Sequence, residues 1–146
     1  MQEGKAGEMV ARGIRNNNPC NLKKSSNNWY GLVKKSDSKD PVFCEFRDAK
    51  YGIRAACKLF LNYDRLYGIN TIRGIVSRFA PPSENNSERY SEFLCKKLNK
   101  NRDEHLDLYD ANIMYELLCG IITFENGIQP YLPETIKAGM SLAGVS

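Results

Sequence analysis

Ile113-Met114-Tyr115-Glu116-Leu117-Leu118-Cys119-Gly120-Ile121-Ile122-Thr123-Phe124-Glu125-Asn126-Gly127 is the stretch that decides how this chain is read. Ile113, Met114, Leu117, Leu118, Ile121 and Ile122 recur at i, i+3, i+4 and i+7, the signature of a helix with a buried stripe. Asp110 stands where an N-cap belongs and Asn126-Gly127 where a helix stops. One further step along the stripe lands on Glu125. A carboxylate therefore ends the apolar face of a core helix. Burial and the negative end of the helix dipole both disfavour a charged carboxylate in such a place. An acid that keeps its proton beside a cleft is what a glycosidase uses to protonate a glycosidic oxygen. The alternative is a terminal Glu that simply reaches solvent.

Upstream, more helices are expected. Asp48 caps one to about Tyr67, with Ile53, Cys57, Phe60 and Tyr67 inward and Gly68 as the stop. Thr71 caps a shorter one with Ile72, Ile75, Val76 and Phe79 inward. Asn86 or Ser87 caps a third with Tyr90, Phe93, Leu94 and Leu98 inward. Downstream, Pro133 opens a last helix around Ile136 and Met140. Nearer the N-terminus, Trp29–Val33 and Val42–Phe46 read as two short strands of a hairpin, closed by the polar residues Lys34 to Asp40. The expected fold is mainly α (α+β): about five helices and one small β-hairpin. Residues 1–11 read as a flexible tail and 12–146 as a single domain.

The bulk properties agree. The chain has 146 residues, 42% hydrophobic and 26% charged, the profile of one globular domain. No apolar run reaches the length of a membrane helix. Met1 to Arg12 is polar and lacks the apolar segment of a secretory signal. The expectation is synthesis in the cytoplasm, with delivery by some other route if the protein acts elsewhere. Net charge is +4, yet Met1–Lys35 holds seven Lys/Arg against two acids. A basic segment suits an anionic polymer or a solvated surface. Five cysteines without a C-x-x-C read as reduced fillers, and the single histidine, His105, sits among charges; neither a metal nor another cofactor is expected.

Four asparagines, Asn16, Asn17, Asn18 and Asn21, lie within six residues of one another and near Trp29 and Tyr30. Amides and an aromatic ring are suited to sugar recognition; the same amides also build Asx turns. Among the remaining acids, Glu84 lies in a Pro-flanked loop, where it either lines a cleft or helps cap the next helix. Glu45, on the second expected strand, and Asp37 and Asp40, in the expected hairpin loop, are candidates for a second carboxylate, and the sequence singles out none of them.

The stretch Arg12-Gly13-Ile14-Arg15-Asn16-Asn17-Asn18-Pro19-Cys20-Asn21-Leu22 resembles the opening of phage and prophage virion proteins with a lysozyme-like domain. Trp29-Tyr30-Gly31, Tyr51-Gly52-Ile53-Arg54-Ala55, Phe79-Ala80-Pro81-Pro82-Ser83-Glu84-Asn85 and Glu125-Asn126-Gly127 extend the likeness across the domain. The Glu125 region is also similar to the helix end that bears the acid of lytic transglycosylases. The segment from Asn16 to Gly31 is similar to the stretch located C-terminal to that acid in glucosaminidases. The order is reversed here, which implies a circular permutation with the Glu125 helix packed beside the Asn-rich segment.

The resemblance implies a peptidoglycan glycosidase, a muramidase or a lytic transglycosylase, cutting between N-acetylmuramic acid and N-acetylglucosamine. Glu125 would be the general acid, with Asn16, Asn17, Asn18, Asn21, Trp29, Glu84 and Tyr90 along the sugar groove. A second carboxylate about 5–9 Å from the first would make it a hydrolase. Without one, a hydroxyl of the substrate would trap the cationic centre. Expected partners are glycan strands at the bacterial wall and other virion proteins, with neither nucleic acid binding nor membrane insertion. Two departures stand out: Cys20 where the family commonly has Gly, and Phe124 where it often has His. The competing reading is a non-catalytic virion or wall-binding module on the same fold.

Overall fold

The computed structural model describes residues 10–81 and 86–146. The expected tail, all but its last two residues, and Glu84 lie outside the described residues. Among the described residues there are six α-helices: α1 (Arg12–Arg15), α2 (Ala49–Tyr67), α3 (Ile72–Phe79), α4 (Ser87–Leu98), α5 (Ala111–Asn126) and α6 (Pro133–Leu142). The caps are where local chemistry puts them. Asp48, Thr71, Asn86 and Asp110 accept hydrogen bonds from the first-turn amides of α2 to α5, and Pro133 opens α6. Gly68 and Gly127 close α2 and α5 in the left-handed conformation.

Helix α5 is the axis of the molecule. From Leu117 to Ile122 every residue is buried, because α1, α2, α4 and α6 pack around it. A helix covered on all sides needs the near-continuous apolar run seen here. Met114, Leu117, Leu118, Ile121 and Ile122 join Ile53, Phe60, Ile75, Leu94 and Ile136 in one core. Cys57 and Cys119 are buried free thiols within it, and burial pushes the Cys57 thiol up to about 12. No helix among the described residues is long and apolar enough to cross a membrane.

The expected β-hairpin is not formed. Among the described residues there are two isolated antiparallel bridges, Lys23 with Phe43 and Leu32 with Phe46. The segment from Val42 to Arg47 is flanked on both edges by different pieces of chain. Lys24 N–H donates to the Val42 carbonyl and Cys44 N–H to Leu22; on the other edge Val33 N–H donates to Glu45 and Arg47 N–H to Gly31. Phe46 N–H is taken by the Asn16 carbonyl. Each pairing ends after one bridge. Gly31, at φ 88°, turns the first expected strand away, and a Cβ there would strike the Tyr51 ring. Cys44 and Phe46 of the expected second strand are buried, but Val42, which shares their alternation, is exposed, and so is Tyr67 at the end of the expected α2 stripe.

Candidate functional site

The C-terminal turn of α5 meets the Asn-rich segment that comes after α1. Asn21 Nδ2 donates to Glu125 Oε1 at 2.9 Å, and the Tyr90 hydroxyl of α4 donates to Glu125 Oε2 at 2.8 Å. The neighbouring Asn126 Nδ2 donates to the Pro19 carbonyl at 2.7 Å. Residues over a hundred positions apart thus form one cluster. Glu125 is half-buried, and each of its oxygens keeps a second lone pair for a ligand. Tyr90 is fully buried, with Phe124 stacked on it at 3.9 Å between centroids. Burial, with the Glu125 charge behind it, drives the Tyr90 hydroxyl far above its usual range, so it acts as a fixed donor.

The turn that delivers Asn21 is built by asparagines. Asn17 and Asn21 take left-handed φ of 53° and 55°, a conformation Asn tolerates better than most residues, and Cys20 is spared it. Cys20 is fully buried instead; burial first and the Glu125 charge second hold its thiol well above the usual value.

The four asparagines divide by role, which corrects the expectation that all of them line a groove. Asn18 has no exposed surface; its Nδ2 donates to the Leu22 and Cys44 carbonyls and its Oδ1 accepts from Leu22 N–H. Asn16 is buried and donates to Asp40. Asn17, partly exposed, donates to the Phe46 carbonyl. Asn21 is the one that reaches the carboxylate. The physical reason is that a chain crossing the core edge without regular structure must satisfy its backbone through side chains.

Two adjoining cavities open beside this cluster. The smaller, about 280 Å³, is lined by Asn21, Asn27, Trp29, Tyr63 and Phe79, among others. The larger, about 1030 Å³, shares Ser25, Asn27 and Trp29 with it and continues along Glu45 and Arg54. Glu125 lines neither; it stands one hydrogen bond behind Asn21. Glu45 faces the larger cavity, and its Oε2 accepts from the Ser38 hydroxyl and the Lys39 and Asp40 amides. Burial would raise this acid, but those donors prevail and leave it below its usual value. It is an ionised acceptor tying down the 38–40 loop. Among the described residues no group of three or more His, Cys, Asp or Glu is placed to hold a metal ion.

Two further contacts escaped sequence reading. Arg12 forms a bidentate ion pair with Asp40, at 2.6 and 2.7 Å. The Oδ1 atoms of Asn21 and Asn126 are buried without a hydrogen-bond partner, and both face Gly13. A Cβ at Gly13 would lie 2.7 to 2.9 Å from these oxygens and the Asn18 carbonyl. Gly13→Ala is therefore expected to cost about 1–3 kcal/mol in urea denaturation, by forcing Asn21 and α5 apart. Tyr90→Phe keeps the packing and removes one donor to a carboxylate. It should lose roughly 1.5–3 kcal/mol in the same assay; an unchanged midpoint would mean that the hydrogen bond carries no weight.

The fold and this cluster define a small α-rich domain whose central helix presents a hydrogen-bonded carboxylate behind an open groove. No protein-family profile matches the chain. Over 135 residues, 89% of this chain and 80% of the relative, it is 37% identical to Protein P5 of Pseudoalteromonas phage PM2. The chain belongs to the family of that phage protein.

Proposed function

We propose that this protein is a peptidoglycan glycosidase in which Glu125 is the general acid. The observation that carries the proposal is the placement of the Glu125 carboxylate between Asn21 and Tyr90, at the end of a core helix and behind the wall of a groove containing Trp29. In this reading a sugar stacks on Trp29, the Asn21 side chain gives up its place on Glu125 to the glycosidic oxygen, and Glu125 passes its proton to that oxygen as the bond to the anomeric carbon breaks. The buried Tyr90 donor fixes the other carboxylate oxygen. The contact between the α5 end and the Asn-rich segment supports a lysozyme-like arrangement with its chain order permuted. Kinship with a phage protein suits an agent brought to the wall by a virion.

With Glu45 already holding a loop, the reading favours a transglycosylase, in which a substrate hydroxyl closes on the cationic centre and returns its proton to the Glu125 carboxylate. The test is turnover of purified peptidoglycan with products identified by mass spectrometry. Anhydro-muramic ends support this route, and reducing ends assign a hydrolase. A second reading draws on the same hydrogen bonds: both Glu125 oxygens are engaged, as they would be in a purely structural carboxylate. A wild-type protein that binds sacculi and releases nothing between about pH 4 and 8 would make it a wall-binding virion module instead.

A further inference from the structure

We infer that the larger cavity is a recognition site for the carboxylates of a short acidic peptide borne on the glycan. This rests on the glycosidase reading and extends it from the sugar to its substituent. Lys24, Lys34, Lys35, Arg47, Arg54 and Lys58 all line this one cavity. Among the described residues, none of the six is within ion-pair distance of a carboxylate. The one acid in the lining, Glu45, accepts from Ser38, Lys39 and Asp40.

Concentrating like charge in a concavity opposes folding, and Arg54 and Lys58, spaced i, i+4 on α2, repel each other. Packing supplies no reason for this arrangement, but an anionic ligand would. The guanidinium groups are also held in position: Arg47 lies 5.4 Å from the Tyr51 ring centroid, and Arg54 lies 5.8 Å from that of Tyr30. Planar forks fixed in this way suit carboxylates.

The distribution of charge sets the ligand class. The larger cavity holds these six cations and the smaller one two. Trp29 belongs to both, and the smaller cavity leads through Asn21 to Glu125. A ligand spanning the pair thus carries most of its negative charge at the end in the larger cavity. A muramyl sugar carrying an acidic peptide on its lactyl ether has this form. A nucleic acid carries a phosphate on every nucleotide and calls for cations along the whole track.

The sequence contains one tryptophan, Trp29, so its fluorescence reports on this site directly. The full chain is titrated with N-acetylglucosaminyl-N-acetylmuramyl-tetrapeptide, which lacks the scissile bond, with neutral chitobiose, and with a single-stranded oligonucleotide. The peptide-bearing disaccharide should bind about tenfold or more tighter than chitobiose. Arg54→Gln and Lys58→Gln should each weaken it several-fold while leaving chitobiose binding unchanged, which also serves as the folding control. Equal affinity for the two sugars, or variants that leave the peptide-bearing ligand unaffected, overturns this inference alone. Failure of both sugars to bind overturns it together with the glycosidase reading. Tighter binding of the oligonucleotide, collapsing with added salt, reassigns the cavity to nucleic acid.

Discussion

Glu125→Gln is expected to lower peptidoglycan turnover roughly a hundred- to ten-thousand-fold, the usual contribution of a positioned general acid, with the fold intact. The substitution is close to isosteric. The Gln oxygen can accept from Asn21 Nδ2 in place of Glu125 Oε1. Its amide can donate to the Tyr90 oxygen, whose hydroxyl rotates to suit. What disappears is the proton that a leaving oxygen would take. The informative result is a pair of measurements: near-complete loss of soluble products, and unchanged binding to sacculi. If Glu125→Gln cuts at close to the wild-type rate, Glu125 is a structural anchor for the Asn-rich segment and the acid lies elsewhere.

Asp40→Ala should lose about 3 kcal/mol or more, at about 1–3 kcal/mol for each buried donor left unmet, a large share of the total stability of a domain this size. Asp40 is buried and gathers five hydrogen bonds: two from Arg12, one from Asn16, and the backbone amides of Val42 and Phe43. Removing it leaves the Asn16 amide and two backbone donors without their acceptor. It also releases α1 from the 40–43 segment, and with α1 goes the frame that presents Asn21 to Glu125.

The same residue sets a pH dependence. The Arg12 guanidinium holds the Asp40 carboxyl far below the usual carboxylate range, against the opposing effect of burial, and the Phe43, Val42 and Asn16 donors add to it. A carboxyl depressed in the folded state contributes its full stability above its unfolded pKa of about 3.9. That contribution fades as pH falls toward the folded value, because only the unfolded chain takes up the proton. The urea midpoint of the wild type should therefore drop from about pH 5 downward, and that of Asp40→Asn should drop less over the same span. Parallel curves would show that the Arg12–Asp40 pair contributes nothing to folding.

These two residues differ in how far the sequence announced them. Glu125 could be found because a periodic stripe runs straight into it, and periodicity is a property of one helix. The helix caps at Asp48, Thr71, Asn86 and Asp110 were readable for the same reason, since each bonds to an amide two or three residues away. Asp40 reads in the sequence as one of several acids that could be a second carboxylate, with nothing to mark it as an ion-pair partner. Its partner Arg12 is 28 positions distant, and no local pattern links them. The hairpin failed on similar grounds: alternation detected a half-buried extended segment at 42–46, but the identity of its neighbours on either edge was decided by Asn16, Leu22 and Gly31.

The asparagines mark the boundary most clearly. Their composition suggested either turns or ligand contacts, and only burial separated Asn16 and Asn18, enclosed among backbone and side-chain partners, from Asn21, turned toward Glu125. The basic cavity takes Lys24, Lys34 and Lys35 from the basic segment visible in the sequence, but Arg47, Arg54 and Lys58 join them only through the fold. The helices, their ends and the carboxylate closing the central stripe are legible along the chain, because they depend on interactions within a few residues. What faces that carboxylate and where the cations gather emerge with the packing, because a site is made of chain segments far apart in sequence, brought together when α5 is enclosed by its neighbours.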